Sequence, residues 1–310
     1  MLVNFISILR FLAVLLVINS HCGIFYPSSL SELGTGGALA NAIFFFCSGF
    51  TLCLSNNDIG FTKWMIRRLI RIYPSVWVFL LLCNLFVGEG YHIKDFFITP
   101  FWFVNAILLF YIPFYYIIKY IPKRIPFIIG ILLVPYLVTY FFFNDYSVFL
   151  IDWVSNSTYL HWYYYFAIML FGAFCTKIQR SISYPILKLS FAFFVYFTFK
   201  HLVKHFDILL VYQVIVPLGL FPICWYILEV AKKSEYLLPK YFVLNRLIGH
   251  VSRLSLDAYI VQFSVIAFYH TQNLPFRLIL VFLTVLVAAE LLYRCSDFCR
   301  KILFKVLSFT

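Results

Sequence analysis

Acidic side chains are scarce in this chain: 12 Asp and Glu stand against 24 Lys and Arg in 310 residues. Only 12% of residues are charged at all, about half the share of an ordinary soluble domain, which excludes a water-exposed globular surface. No Pro/Gly/Ser-rich linker, low-complexity tract or strong internal repeat interrupts the sequence. That argues against separate soluble domains and against a transporter assembled from inverted halves. The first apolar run has neither a basic leader nor a small-residue cleavage site and carries Arg10, so it reads as a retained helix rather than a signal peptide. The eight cysteines fall mostly inside apolar runs, where Cys behaves as a small hydrophobe, and no disulfide framework emerges. Cys295 and Cys299, four residues apart, lack the His or second Cys pair of a four-ligand metal site, so no metal is expected.

What the chain has is apolar length. It is 64% hydrophobic, with 39 Phe and 23 Tyr, and its mean hydropathy is +0.94. Apolar stretches recur at 2–22, 36–54, 74–88, 101–121, 125–143, 160–176, 184–199, 208–230, 251–270 and 275–293, against about 20 residues per membrane span. The expected fold is an all-α, polytopic integral membrane helical bundle of about ten transmembrane helices. It forms a single membrane domain over 1–310, and three short stretches leave nine or eleven helices open. With the N-terminus inside, 19 of the basic residues fall on the inner face, Arg180 among them, and four on the outer: Lys94, Lys200, Lys204 and Arg277. That asymmetry predicts cytoplasmic termini. It also accounts for the net charge of +12 through topology and anionic headgroups, with no nucleic acid. Glu32, Glu89, Asp95, Asp145, Asp152 and Asp207 collect on the predicted outer side.

Arg10 and His21 lie inside the first run. Eleven helical steps come to about 1100°, three turns and about 20°, so the two share one stripe about 16 Å apart. Ionisable groups at membrane depth point to a polar cavity. Snorkelling of Arg10 to one interface, with His21 marking the other, accounts for the same pair. In the second run, Cys47-Ser48-Gly49 is small enough for another backbone, or a ligand, to come close. Arg67, Arg68 and Arg71 follow at helical spacing, a guanidinium patch suited to phosphate or to a plain positive-inside flank. Glu290 and Arg294 read as an i,i+4 pair.

Four motifs agree in order and spacing with a known pattern: Arg10-x10-His21, Phe45-Phe46-x-Ser48-Gly49-Phe50, Arg68-x-x-Arg71-Ile72-Tyr73-Pro74, and Phe101-Trp102-Phe103. Together they resemble the membrane acyltransferase 3 family. Weaker echoes are Trp162 to Phe174 and Ser255-Leu256-Asp257-Ala258-Tyr259-Ile260-Val261-Gln262. The resemblance implies about ten membrane helices and transfer of an acyl group, usually acetyl from acetyl-CoA, to hydroxyls of surface or secreted glycans. One departure is that relatives often carry His where this chain has Gln262, and Gln cannot take up a proton. The hydrolase-like soluble domain fused to some relatives is also not seen.

The residues and the resemblance together imply a division of roles. His21 is the expected general base and Arg10 the holder of a donor carbonyl or phosphate. Arg68 and Arg71, with Arg67 and Ser48 beside them, face the CoA moiety. Trp102, Gln262 and Asp257 face the acceptor, although a helix–helix hydrogen bond explains Asp257 and Gln262 equally well. The expected partners are acyl-CoA, a glycan or lipid-linked oligosaccharide acceptor and membrane lipids, and the expected location is a bacterial inner membrane. The oligomeric state is left open. Two other classes compete. A transporter or flippase of lipid-linked glycans has no use for acyl-CoA, and a noncatalytic partner of a glycan-assembly complex tolerates loss of the Arg10/His21 pair.

Overall fold

A computed structural model describes residues 5–55, 59–88, 90–143, 158–178, 182–237, 240–270 and 276–307. Glu89, Asp145, Asp152 and Arg180 lie outside the described residues. Regular structure among the described residues is helical throughout: α1 (Phe5–His21), α2 (Gly37–Leu54), α3 (Phe61–Phe86), α4 (Trp102–Tyr120), α5 (Ile125–Phe143), α6 (Thr158–Cys175), α7 (Pro185–His205), α8 (Leu220–Glu235), α9 (Phe242–Arg253), α10 (Ser255–His270) and α11 (Arg277–Leu307). This follows from the apolar runs, because in lipid a helix satisfies its backbone within one segment.

Every apolar stretch of the sequence lands on helical structure, with two adjustments. The stretch at 208–230 is a tight 3-10 segment, Asp207–Gly219, leading into α8, and 251–270 takes in the end of α9 and all of α10. Pro74, expected at the mouth of the third helix, lies inside α3, which begins at Phe61. Proline frees one carbonyl of the preceding turn, and membrane helices tolerate this where neighbours re-satisfy it. By length and apolarity seven helical stretches of the described residues qualify as spans, or eight if α9 and α10, bent by 75°, count as one. The expected ten therefore exceeds what those criteria support. α1 is apolar but only 17 residues long, and α6 opens on the polar aromatic run His161 to Tyr165.

The residues form two compact units. The first comprises 1–13, 38–55 and 116–246. In it α2 and α6 cross at two glycines. A Cβ on Gly49 would stand 1.7 Å from the Met169 carbonyl oxygen, and one on Gly172 would stand 2.1 Å from that of Phe46. Only hydrogen at both positions lets the backbones meet. Buried Tyr136 and Tyr140 of α5 donate to the carbonyls of Val214 (3.2 Å) and Val211 (2.7 Å) in the 3-10 segment.

The second unit comprises 14–37, 56–115 and 247–310, and is built on α3, α10 and α11. A buried polar cluster ties these three. Ser75 donates to Asp257 at 2.6 Å, Ser296 lies 3.2 Å from the Ser75 hydroxyl, and Arg300 donates to Ser75 and stands 3.5 Å from Asp257. The connection from α3 to α4 runs back along α3. Asn84 accepts the N–H of Tyr91 and donates to its carbonyl (2.8 and 2.9 Å), Trp77 donates to Phe96 O (2.8 Å), and Tyr73 donates to Phe97 O (2.7 Å). Asn105 then holds Thr99 by its N–H and carbonyl (3.0 and 2.6 Å). Side chains thus supply the partners that an irregular backbone beside an apolar helix needs.

Candidate functional site

His21 is the last residue of α1. The helix is continuous from Phe5, so Arg10 and His21 share one helix, as their spacing requires. The chain beyond His21 is fastened back onto that helix end by Asn19. Its amide donates to the carbonyls of Leu33 (2.7 Å) and Thr35 (3.0 Å), and its Oδ1 accepts from Tyr26 at 2.6 Å. Burial, with Cys22 nearby, pushes the Tyr26 phenol up, which keeps it a donor. Gly36 follows at φ +112°, a left-handed conformation suited to glycine, packed on Leu16. The half-buried His21 ring rests edge-on against Phe263 of α10, centroids 4.6 Å apart. Asn19 escaped the reading of the sequence, although an amide two residues before a candidate base in an apolar helix is a visible signal.

Next to Phe263 in the chain is Gln262, fully buried, and neither its carbonyl nor its NH2 has a partner among the described residues. One turn earlier, Tyr259 packs on Phe101 and Phe103 at 6.2 and 5.3 Å. Those rings turn inward at the start of α4, and Trp102 between them is half-buried. Asp257 belongs elsewhere. Five helical steps separate it from Gln262, about 140° around the helix, and its carboxylate is engaged by Ser75 and Arg300. Of the two readings of Asp257, the helix–helix tie is the one its contacts match.

The three guanidiniums of α3 take different neighbours. Arg68, half-buried, lies over the Trp64 ring, 5.1 Å from its centroid. Trp64 is wedged against Tyr111 and Tyr115 of α4 (5.7 and 5.3 Å), and its indole N–H is buried without an acceptor among the described residues. Arg71 is exposed. Arg67 faces the end of α11 in a separate groove. In the first unit, Arg10 is half-buried within electrostatic reach of Cys47, and the Ser48 hydroxyl donates to the Phe44 carbonyl of its own helix at 2.8 Å. The small residues beside Ser48 serve the α6 backbone. Glu290 binds Arg294 at 2.6 Å, the i,i+4 pair expected, and also draws in His250 at 3.4 Å.

Residues 3–293 match the acyltransferase-domain family, acyltransferase 3. The chain belongs to the membrane acyltransferase 3 family. That match takes in nearly the whole sequence, and with the apolar helices it makes the protein a multi-pass membrane acyltransferase. No curated protein and no solved structure matches the chain. Within this acyltransferase, His21, Arg68, Arg71, Trp102 and Gln262 belong to the second unit, while Arg10 and Ser48 belong to the first.

Proposed function

We propose that this acyltransferase moves an acyl group, acetyl by analogy with the family, from acyl-CoA to a hydroxyl of a surface polysaccharide or its lipid-linked precursor. The observation that carries the reading is the family match over residues 3–293. A half-buried imidazole at the end of α1 and a guanidinium stacked on Trp64 at the basic end of α3 support it. His21 accepts the proton of the acceptor hydroxyl as its oxygen attacks the thioester carbonyl. The C–S bond then breaks and the proton passes to the departing CoA thiolate. Arg68 and Arg71 take the CoA phosphates bidentately, and Arg10 holds a donor oxygen. Trp102 and Gln262 are the acceptor contacts, since the Asp257 carboxylate is already occupied. The protein resides in the bacterial inner membrane with both termini cytoplasmic, as the basic asymmetry supports.

The test is mass and proton NMR of the host's surface polysaccharide with the intact protein, without it, and with His21→Ala. The expected result is an acetyl increment that disappears in both altered strains while the variant still accumulates folded. Acylation retained by His21→Ala removes His21 from the base role. Unchanged acylation with polysaccharide missing from the surface points to transport instead.

A further inference from the structure

The first two turns of α3 and the last turns of α11 enclose a groove of about 180 Å³ that the reaction above does not use. Thr62, Lys63, Ile66, Arg67 and Ile70 line one wall, and Phe304 and Leu307 the other. Lys63, Ile66, Arg67 and Ile70 follow i, i+3, i+4, i+7 spacing and form one stripe, with Thr62 at its edge. Arg68, about 100° further round, turns away to Trp64, and Arg71, one turn beyond Arg67, is exposed and borders the groove without lining it. Ile70 is only 4% exposed, whereas Lys63 and Arg67 are open to solvent. The groove therefore has an apolar floor and a doubly positive rim, with no acid among its lining residues. Lys305, next to Phe304 in the chain, is exposed as well. α3 carries no charge from Ile72 to Phe86, so the groove sits where an apolar span gives way to basic residues, the level at which headgroups meet protein.

We propose that this groove is a binding site for an anionic phospholipid of the surrounding bilayer. Lys63 and Arg67 hold the headgroup phosphate by charge-assisted hydrogen bonds. The first carbons of an acyl chain lie on Ile66, Ile70 and Phe304. A zwitterionic lipid offers the same chain but a neutral head, so charge complementarity selects the occupant.

The test is native mass spectrometry of the full chain, delipidated in detergent and supplied with phosphatidylglycerol or phosphatidylcholine of identical acyl chains. The expected result is retention of phosphatidylglycerol over phosphatidylcholine by about tenfold. Lys63→Gln/Arg67→Gln should lose that preference, while Arg294→Gln, which removes a cation on the exposed side of α11, should keep it. Equal retention of the two lipids by the unaltered protein overturns the proposal, as does undiminished phosphatidylglycerol on the double variant. So does release of phosphatidylglycerol by micromolar CoA from the unaltered protein, which would assign the groove to the acyl donor.

Discussion

Replacing Arg300 by Met should destabilise the second unit strongly, because it strands a buried carboxylate. Asp257 is 1% exposed, accepts from Ser75 at 2.6 Å and stands 3.5 Å from the Arg300 guanidinium, whose side chain is 13% exposed. At that separation and an effective dielectric constant of about 20, the attraction is about 5 kcal/mol. Much of this offsets the desolvation of the two ions, so the pair adds little net stability. Breaking it from one side leaves the desolvation uncompensated, and the expected loss is about 3–5 kcal/mol. Ser75 and Ser296 can return only part of it, since neither carries charge. Asp257→Asn/Arg300→Met should recover at least half of the loss, because no ion then remains buried. The assay is thermal unfolding of the full chain in detergent, followed by the monodisperse fraction, with transfer measured on the same preparations. An Arg300→Met midpoint unchanged from the unaltered protein would refute the reasoning. A double variant no more stable than the single one would do so too. Asp257→Asn that keeps its midpoint but loses transfer would return Asp257 to the acceptor site.

Three further outcomes follow from the same geometry. Gly172→Ala should sharply lower the yield of folded protein, because the added Cβ would lie 2.1 Å from a backbone oxygen that cannot rotate away, whereas Gly130→Ala, facing open space, should be silent in expression and melting. Arg68→Lys should raise the KM for acyl-CoA about tenfold with a smaller change in kcat, since an ammonium neither stacks on Trp64 nor forks onto phosphate as a guanidinium does; an unchanged KM would separate Arg68 from the donor. Gln262→Leu should leave the melting point unchanged or raise it, since it removes a buried amide with no partner among the described residues that costs about 1–3 kcal/mol, yet it should weaken acceptor use; marked destabilisation would mean that Gln262 is a structural tie.

The helices were legible because apolar runs leave the backbone few alternatives, and the runs at 36–54, 101–121 and 125–143 match α2, α4 and α5 to within two residues. The start of α3 was not. Its basic turns, Lys63 to Arg71, looked like a flank and Pro74 like an entrance, yet cations at a membrane boundary are compatible with helix. Helical spacing set Arg67, Arg68 and Arg71 on adjacent turns of one helix but could not say which neighbour each would meet. That was decided by Trp64 and the aromatics of α4 on one side and by Phe304 of α11 on the other. Asp257 announced itself as an acid in an apolar run, but its partners come from α3 and α11, far away in sequence. The small residues at Cys47 to Gly49 forecast a close approach, and only the structure identifies the visitor as the α6 backbone.

Polar residues set singly in apolar helices divide into two kinds, and the division bears on function. Asn19, Asn84, Asn105 and Asp257 are spent on the fold: each joins its helix to a loop or to another helix through hydrogen bonds of 2.6–3.0 Å. Gln262 and the indole N–H of Trp64 find no partner among the described residues although both are buried. Such groups are uncommon because they weaken the fold that carries them. Hydrogen-bonding capacity that the fold leaves unused is capacity for a ligand, and in the second unit two such groups fall beside Arg68 at the basic end of α3 and next in the chain to Phe263, on which the His21 ring rests. One spare donor thus lies under the guanidinium assigned to the CoA phosphates, and one spare amide is the chain neighbour of the ring that meets the candidate base.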